Sequence, residues 1–94
     1  MITKTLFTNI FGVTPKMKVI DFLLENRELD FGVGDIAEEV KLSRQTVYTI
    51  IDDLINKKIV LVTRRLQNKT MYGLTNLVIV QRLKELFDEI LRRN

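Results

Sequence analysis

Residues 35–54 constrain the fold of this chain more than any other segment, because they place two short amphipathic helices on either side of a tight turn. We predict the first helix over about 35–40 and the turn at 41–42. Ser43 is predicted to cap the second helix, which continues to about Lys57. Apolar residues recur along its inner side at helical spacing, namely Val47, Ile50, Ile51 and Leu54. The two helices are therefore expected to cross over a shared core.

The outward side of this second helix begins with polar residues. With the apolar stripe facing inward, its first turns expose Ser43, Arg44, Gln45, Thr46, Tyr48 and Thr49. Arginine and glutamine can bond bidentately to base edges, and hydroxyl groups can bind phosphate or bases. Tyr48 is explained equally well by packing on the helix flank with its hydroxyl in water. Asp52 and Asp53 point about 100° apart, so a solvated helix face explains them better than a metal site.

The remaining helices complete a small, mainly helical domain with a three-helix core. Thr14 and Pro15 have the capping and first-turn chemistry of a helix that continues to about Glu25. Residues 26–34 follow as a short strand or extended connector. Asn76 is predicted to cap an additional helix at the C-terminal end.

A β-hairpin is predicted before the last helix. β-branched and alternating residues occupy 59–65 and 70–75, and polar residues between them form the tip. Residues 60–75 contain no acidic residue, and the candidate phosphate-binding side chains of the hairpin are Arg64, Arg65, Gln67, Asn68 and Lys69. The alternative is a solvated hairpin whose charges prevent edge-to-edge aggregation. The helix pair directly before the hairpin favours a role on DNA.

Missing residue types exclude several function classes. The 94 residues contain no cysteine and no histidine, so disulfides, thiolate chemistry, imidazole catalysis and a structural zinc site are excluded. No nucleophile–base pair or phosphate-binding glycine loop indicates an enzyme, we expect no cofactor, and no small-molecule ligand is evident. A formal charge of +3 is compatible with a polyanionic partner. Because no apolar run could span a bilayer, we expect a cytoplasmic protein without a membrane partner.

The pattern resembles the winged helix-turn-helix regulators, particularly small archaeal members of the ArsR and MarR-like group. The resemblance covers nearly the whole chain and is carried by Thr14-Pro15, Asp35-Ile36-Ala37, Ser43-Arg44-Gln45-Thr46-Val47-Tyr48, Asp53-Leu54, Arg65 and Tyr72-Gly73-Leu74. It implies that residues 43–49 begin a recognition helix in the major groove, and that the hairpin tip is a wing on the DNA backbone or minor groove. The tip at 67–69 departs from the family in lacking a glycine. The cysteine or histidine ligands of metal-sensing relatives are also absent, so metal sensing is not implied.

We treat residues 1–94 as one domain, with a leading segment over 1–13, core and wing over 14–75, and a C-terminal helix over 76–94. The apolar stripe of this last helix is wider than a small core can cover, which predicts a partner surface. A second copy packed across a two-fold axis is the simplest partner. The predicted contacts are Leu77, Val80, Leu83, Phe87, Ile90 and Leu91, with Leu6, Phe7, Ile10 and Phe11 filling in. The alternative is a helix folded back over its own domain.

The sequence therefore predicts a mainly α winged helix-turn-helix protein with a small β-hairpin. Its predicted function is sequence-specific binding of double-stranded DNA as a homodimeric transcription regulator, with repression as the expected outcome. The alternative is a protein-contacting module of a transcription or replication complex. That alternative predicts an apolar or acidic outer face on the recognition helix, whereas this face carries Arg44, Gln45, Thr46 and Thr49.

Overall fold

The computed structural model describes residues 10–93. Its elements follow in the order α1 Pro15–Glu25, α2 Val33–Val40, α3 Arg44–Asn56, β1 Val60–Leu66, β2 Lys69–Leu74 and α4 Val78–Arg93. The predicted mainly helical architecture with one antiparallel hairpin is confirmed. Leu6 and Phe7, predicted to support a dimer contact, lie outside the described residues. Across residues 10–93, every helix falls short of the length and apolar content that a bilayer span requires.

α1 and α3 begin at side-chain caps that the sequence predicts. The hydroxyl of Thr14 accepts the backbone N–H of Met17 at 3.1 Å, and Pro15 occupies the first turn, where its missing N–H costs no bond. The hydroxyl of Ser43 accepts the N–H of Thr46 at 3.1 Å. Both caps satisfy donors that the helices leave unpaired, which fixes where each helix starts.

α2 begins at Val33, two residues earlier than predicted, because Gly32 takes the capping position. Gly32 is extended, with φ −82° and ψ 164°, and its N–H donates to Asp35 Oδ2 at 3.0 Å. The helix is terminated by Lys41, whose φ of 62° lies in the left-handed region. This change of backbone direction leads the chain into α3, so the predicted turn at 41–42 is confirmed.

The main core lies between α1, α2 and α3 and is closed by the hairpin. Its buried residues are Val19, Phe22, Leu23, Ile36, Ala37, Val40, Val47, Ile50, Ile51, Leu54, Val60 and Tyr72. The predicted inner stripe of α3 is therefore confirmed. Burial stabilises the fold by roughly 1.5–3 kcal/mol for each large apolar side chain, so this stripe holds the opposite side of α3 toward solvent.

β1 and β2 form an antiparallel pair around a two-residue turn. Leu66 pairs with Lys69, so only residues 67–68 form the turn, and Lys69, predicted at the tip, already belongs to β2. The register shifts by one residue between Val62 and Arg64, which is a β-bulge in β1.

The connector between α1 and α2 is attached to this sheet at one residue. The N–H of Phe31 donates to the carbonyl of Tyr72 at 2.9 Å, and the N–H of Tyr72 donates back at 2.8 Å. The predicted strand or connector over 26–34 is therefore a connector with a single β-bridge. The bridge fixes the wing relative to the start of α2.

α4 packs back onto α1. Phe87 and Ile90 form a second buried cluster with Leu24, and Val80 is also buried, with exposed fractions of 2%, 5% and 0% for Phe87, Ile90 and Val80. The prediction that these three α4 side chains contact a partner copy is therefore wrong. They fill the core of their own chain, because one side of α4 turns inward along its whole length. The helix begins at Val78, one residue later than predicted.

Arg27 joins α4 to the end of α1. Its guanidinium donates to both carboxylate oxygens of Asp88, at 2.8 and 3.3 Å, and to the carbonyl of Leu24 at 3.0 Å. The same group lies 5.6 Å from the centre of the Phe87 ring, within the range of a cation–π contact. The last helix is thus held by polar as well as apolar contacts.

Candidate nucleic-acid interface

The outer face of α3 presents the predicted polar residues. Arg44, Gln45, Tyr48, Thr49 and the cap Ser43 are exposed, and Thr46 is half-buried. Three of the hydroxyl groups have local bonds: Ser43 donates to Thr46 at 2.9 Å, and Thr49 donates to the carbonyl of Gln45 at 3.1 Å. Within residues 10–93, the side chains of Arg44 and Gln45 form no hydrogen bond. These two side chains can therefore reach a ligand without breaking an internal bond.

The wing side of α3 borders an open, polar depression, which we call the wing groove. It is lined by α2, α3 and the hairpin, through Val33, Gly34, Asp35, Glu38, Arg44, Tyr48, Asn68, Lys69, Thr70 and Tyr72. Four predicted residues thus meet at one surface: Arg44 and Tyr48 from α3, and Asn68 and Lys69 from the hairpin. Gly34 lets the guanidinium of Arg44 lie close to α2, because a Cβ at this position would lie 3.0 Å from Arg44 Nη2.

The other side of α3 faces the start of α1. Gln45, Thr46 and Thr49 line a second depression with residues 14–16. Lys16 brings a positive charge to this side, although no sequence pattern predicts it as a site residue. Its neighbour Asp53 is 37 residues away in the chain, so only the packing of α1 on α3 brings them together.

Asp53 is the carboxylate that Lys16 and Lys57 share, with Nζ to Oδ2 distances of 2.6 and 2.7 Å. The hydrogen bond from Lys16, followed by that from Lys57, lowers the pKa of Asp53 below its usual value. No group of three or more carboxylate, cysteine or histidine ligands for a metal occurs in the part of the chain that the structure describes. Asp53 therefore acts as an ion-pair partner at the base of the interface.

Lys69 of the wing is bound to Asp35 at the start of α2. The distance from Lys69 Nζ to Asp35 Oδ2 is 2.8 Å, and both side chains are close to half exposed. The hydrogen bond from Lys69, together with that from the N–H of Gly32, lowers the pKa of Asp35 below its usual value. No local pattern indicates this pair, because its members are separated by the whole of α3 and β1.

Arg64 is bound in the same way, by Asp30 of the connector between α1 and α2. Its guanidinium donates to both oxygens of Asp30, at 3.0 and 3.1 Å, and Thr63 donates to the same carboxylate. Arg64 first, then Thr63, lowers the pKa of Asp30. The side chain of Asp30 passes close to Gly73, where a Cβ would lie 3.7 Å from Asp30 Cβ. Arg64 is therefore not a lining residue of the wing groove.

Arg65 differs from its neighbour in forming no ion pair with any described residue. It stands opposite Thr70 in the hairpin register, and Thr70 lines the wing groove. Burial, followed by the nearby hydroxyl of Tyr48, raises the pKa of Tyr72. The positive charge of Arg65 partly offsets this rise. The wing thus offers one unpaired arginine on the side of α3, with Gln67 and Asn68 exposed at the turn.

Part of α4 leaves an apolar surface in solvent. The exposed side chains are Leu77, Val78, Ile79, Leu86 and Leu91, and Leu83 is half-buried. Ile79 and Leu86 lie seven residues apart, so they share one side of the helix. Ile10 and Phe11 are exposed as well. Of the six predicted dimer contacts, Leu77, directly before α4, and Leu83 and Leu91 within it thus retain exposed surface.

Comparison with known proteins gives matches in shape but not in sequence. No protein-family model and no curated protein matches the chain. The solved structure of the adhesin competence repressor AdcR from Streptococcus pyogenes matches 97% of this chain and 66% of its own, with a TM-score of 0.68 and 15% identity. A ZitR variant from Lactococcus lactis matches 89% of this chain and 56% of its own, with a TM-score of 0.66 and 15% identity.

A MepR variant from S. aureus, solved with a bound oligodeoxyribonucleotide, matches 97% of this chain and 69% of its own, with a TM-score of 0.65 and 19% identity. The chain therefore spans about two thirds of the length of AdcR and MepR, and less of ZitR. These structural neighbours are transcription regulators, not enzymes. With the helix pair, the hairpin and the packing of α1 described above, the likeness shows that this chain has the winged-helix fold of such regulators.

Proposed function

We propose that this protein binds double-stranded DNA sequence-specifically and represses transcription as a homodimer. The observation that carries the proposal is the outer face of α3, where Arg44 and Gln45 are exposed and have no side-chain bonds to other described residues. A repressor and a DNA-bound regulator are among the proteins with this fold, which supports the proposal. We extend the proposal to the finer resemblance found in the sequence, namely that to small archaeal ArsR-like regulators.

The start of α3 would enter the major groove, which is about 12 Å wide and admits one helix. Arg44 and Gln45 would contact base edges, whereas Ser43, Thr46, Tyr48 and Thr49 would fix the register of the helix on the duplex. The wing would then lie on the backbone through Arg65, Gln67, Asn68 and Lys69. Arg64 would join these contacts only by leaving Asp30.

The protein-contact alternative has less support. An outer face for docking on protein is expected to be apolar or acidic, but α3 exposes a cation, an amide and hydroxyl groups instead. Among the described residues, α3 exposes one large aromatic side chain, Tyr48, and most of the other exposed large apolar side chains lie before α1 or at 77–91. We assign these to the proposed dimer contact.

Selection of bound fragments from genomic DNA, including the upstream region of the gene itself, tests the function directly. The expected result is enrichment of a short sequence with two-fold symmetry. Affinity for the enriched duplex should exceed affinity for random duplex by about 10³-fold or more, as is typical of specific binding. Equal affinity for both duplexes would contradict sequence-specific recognition, and no affinity for either would contradict DNA binding.

A further inference from the structure

The wing groove contains a cation that already has an internal anion as its partner. Lys69 Nζ lies 2.8 Å from Asp35 Oδ2, and Lys69 and Asp35 side chains are 46% and 44% exposed. The pair is therefore open to solvent and to any ligand that enters the groove. Any phosphate that contacts Lys69 there must approach the carboxylate of Asp35.

The surroundings hold this pair in one geometry. Asp35 is fixed in the first turn of α2, where it also accepts the N–H of Gly32 at 3.0 Å. The stem of Lys69 passes directly over Gly32, because a Cβ at that glycine would lie 2.5 Å from Lys69 Cε and 3.3 Å from Cγ. The absence of a side chain at position 32 thus gives Lys69 its path to Asp35.

We propose that Asp35 is a positioning residue that competes with DNA phosphate for Lys69 and thereby limits the affinity of the wing for the backbone. The inference rests on the proposed DNA-binding function and adds a control of its strength. Carboxylate and phosphate are both anions that accept hydrogen bonds from an ammonium group. Binding of the wing tip therefore either exchanges Asp35 for phosphate or holds two anions close together, and either event weakens the contact.

The expected size of the effect follows from the exposure of the pair. Solvent-exposed ion pairs are weak, so removing the competitor should tighten binding by about two- to fivefold. The gain should be the same on all sequences, because phosphate contacts carry no base information. A change confined to one preferred sequence is not expected.

The central variant is Asp35→Asn, which removes the charge but keeps an oxygen that can accept the N–H of Gly32. Its matched control is Glu38→Gln, which makes the same change of net charge in the same groove. Glu38 lines the groove but forms no ion pair with the residues described. The probe is a labelled mixed-sequence duplex of about 24 base pairs, long enough for two successive major grooves. Affinity is measured by fluorescence anisotropy at low salt.

Two further variants separate competition from general charge and from folding. Gly32→Ala keeps both charges and is permitted by its backbone angles, but its methyl group displaces Lys69 from Asp35. Lys69→Met removes the ammonium group, so the double variant with Asp35→Asn completes a thermodynamic cycle. Circular dichroism and thermal unfolding identify any variant that does not fold.

We expect Asp35→Asn and Gly32→Ala to bind two- to fivefold more tightly than the unchanged protein, and Glu38→Gln to show a smaller gain. The gain from Asp35→Asn should disappear in the Lys69→Met background. Unchanged or weaker binding by folded Asp35→Asn, an equal gain from Glu38→Gln, or a gain that persists without Lys69 would each overturn this inference alone. If the unchanged protein binds no duplex, the proposed function fails and the inference fails with it.

Discussion

Arg44 is the residue on which the proposed base recognition depends most. It stands at the first position of α3, directly after the Ser43 cap, and its guanidinium lies against Gly34 of α2. The guanidinium lies close to the glycine and the side chain stays exposed, so its planar edge can meet a ligand. A bidentate contact with guanine requires such a planar, oriented group.

We expect Arg44→Ala to weaken binding to the selected duplex by about 1–3 kcal/mol, because one bidentate base contact is lost. Binding to random duplex should fall less, and preference should relax at one position of the site. Arg92→Ala, at the far end of α4, is the control and should change neither affinity. Competition titrations measure both values. An equal loss on both duplexes would reassign Arg44 to a phosphate contact.

Sequence patterns predict the residues of this site better than their partners. The Ser43 cap and the outward position of Arg44 follow from helical periodicity, which operates over a few residues. Asp30 and Asp35 could not be assigned to Arg64 and Lys69, because each pair is separated by more than 30 residues and depends on how the hairpin packs. Local rules carry no information about such contacts.

The wing is predicted to act through charge rather than through sequence recognition. Each phosphate contact contributes about 0.9 to the slope of log K against log salt. Arg65→Ala combined with Lys69→Ala should therefore flatten the slope by about 1–2 and leave base preference intact. Arg82→Ala, which removes an exposed arginine of α4 that is paired with Glu85, is the control. A slope that does not change would place the wing away from the DNA.

α4 has two apolar sides, and only one is part of the core. Replacing Phe87 by alanine should cost about 3–5 kcal/mol of unfolding free energy, because Phe87 is buried against Leu24. Replacing Leu86 by alanine should cost about 0.5 kcal/mol or less at concentrations where the chain is monomeric, because Leu86 is 41% exposed. Urea unfolding compares the two. Similar losses would show that the outer side is also packed within the chain.

The division of α4 into two sides shows where periodicity stops being informative. Its apolar residues cover so much of the helix that spacing alone allowed Val80, Phe87 and Ile90 to face either a partner or the core. The structure settles this by the position of α1, whose Leu24 contacts the inner side. Helix α2 shows the same limit on a smaller scale, since its start depends on a bond between Gly32 and Asp35.

For the molecule as a whole, a dimer through the outer side of α4 would set the distance between two copies of α3. Two-fold symmetry then requires these helices to enter successive major grooves, about 34–36 Å apart. Charged residues at Phe87 would unfold the chain, so exposed positions are the suitable test. Ile79 and Leu86 are exposed on one side of α4 and are chosen for that reason.

We expect Ile79→Glu combined with Leu86→Glu to give folded monomers that bind the symmetric duplex much more weakly, because each half-site loses its tethered second contact. Gln81→Glu adds a charge to the same helix away from that side and should leave the dimer intact. Sedimentation velocity at micromolar concentration measures the oligomeric state. A monomeric unchanged protein would contradict the proposed dimer.

The β-bulge in β1 determines which of two adjacent arginines belongs to the DNA side of the wing. Residues paired across the strands project from the same face, so Arg65, opposite Thr70, shares the face of the wing groove, and Arg64, opposite Met71, takes the other. If β1 kept Thr63 but paired with β2 without this shift, Thr63 would stand opposite Met71 and Arg64 opposite Thr70. Arg65 would then stand opposite Lys69, and the alternation of the two arginines would invert. The one extra residue at the bulge thus decides which of two chemically identical side chains faces the wing groove.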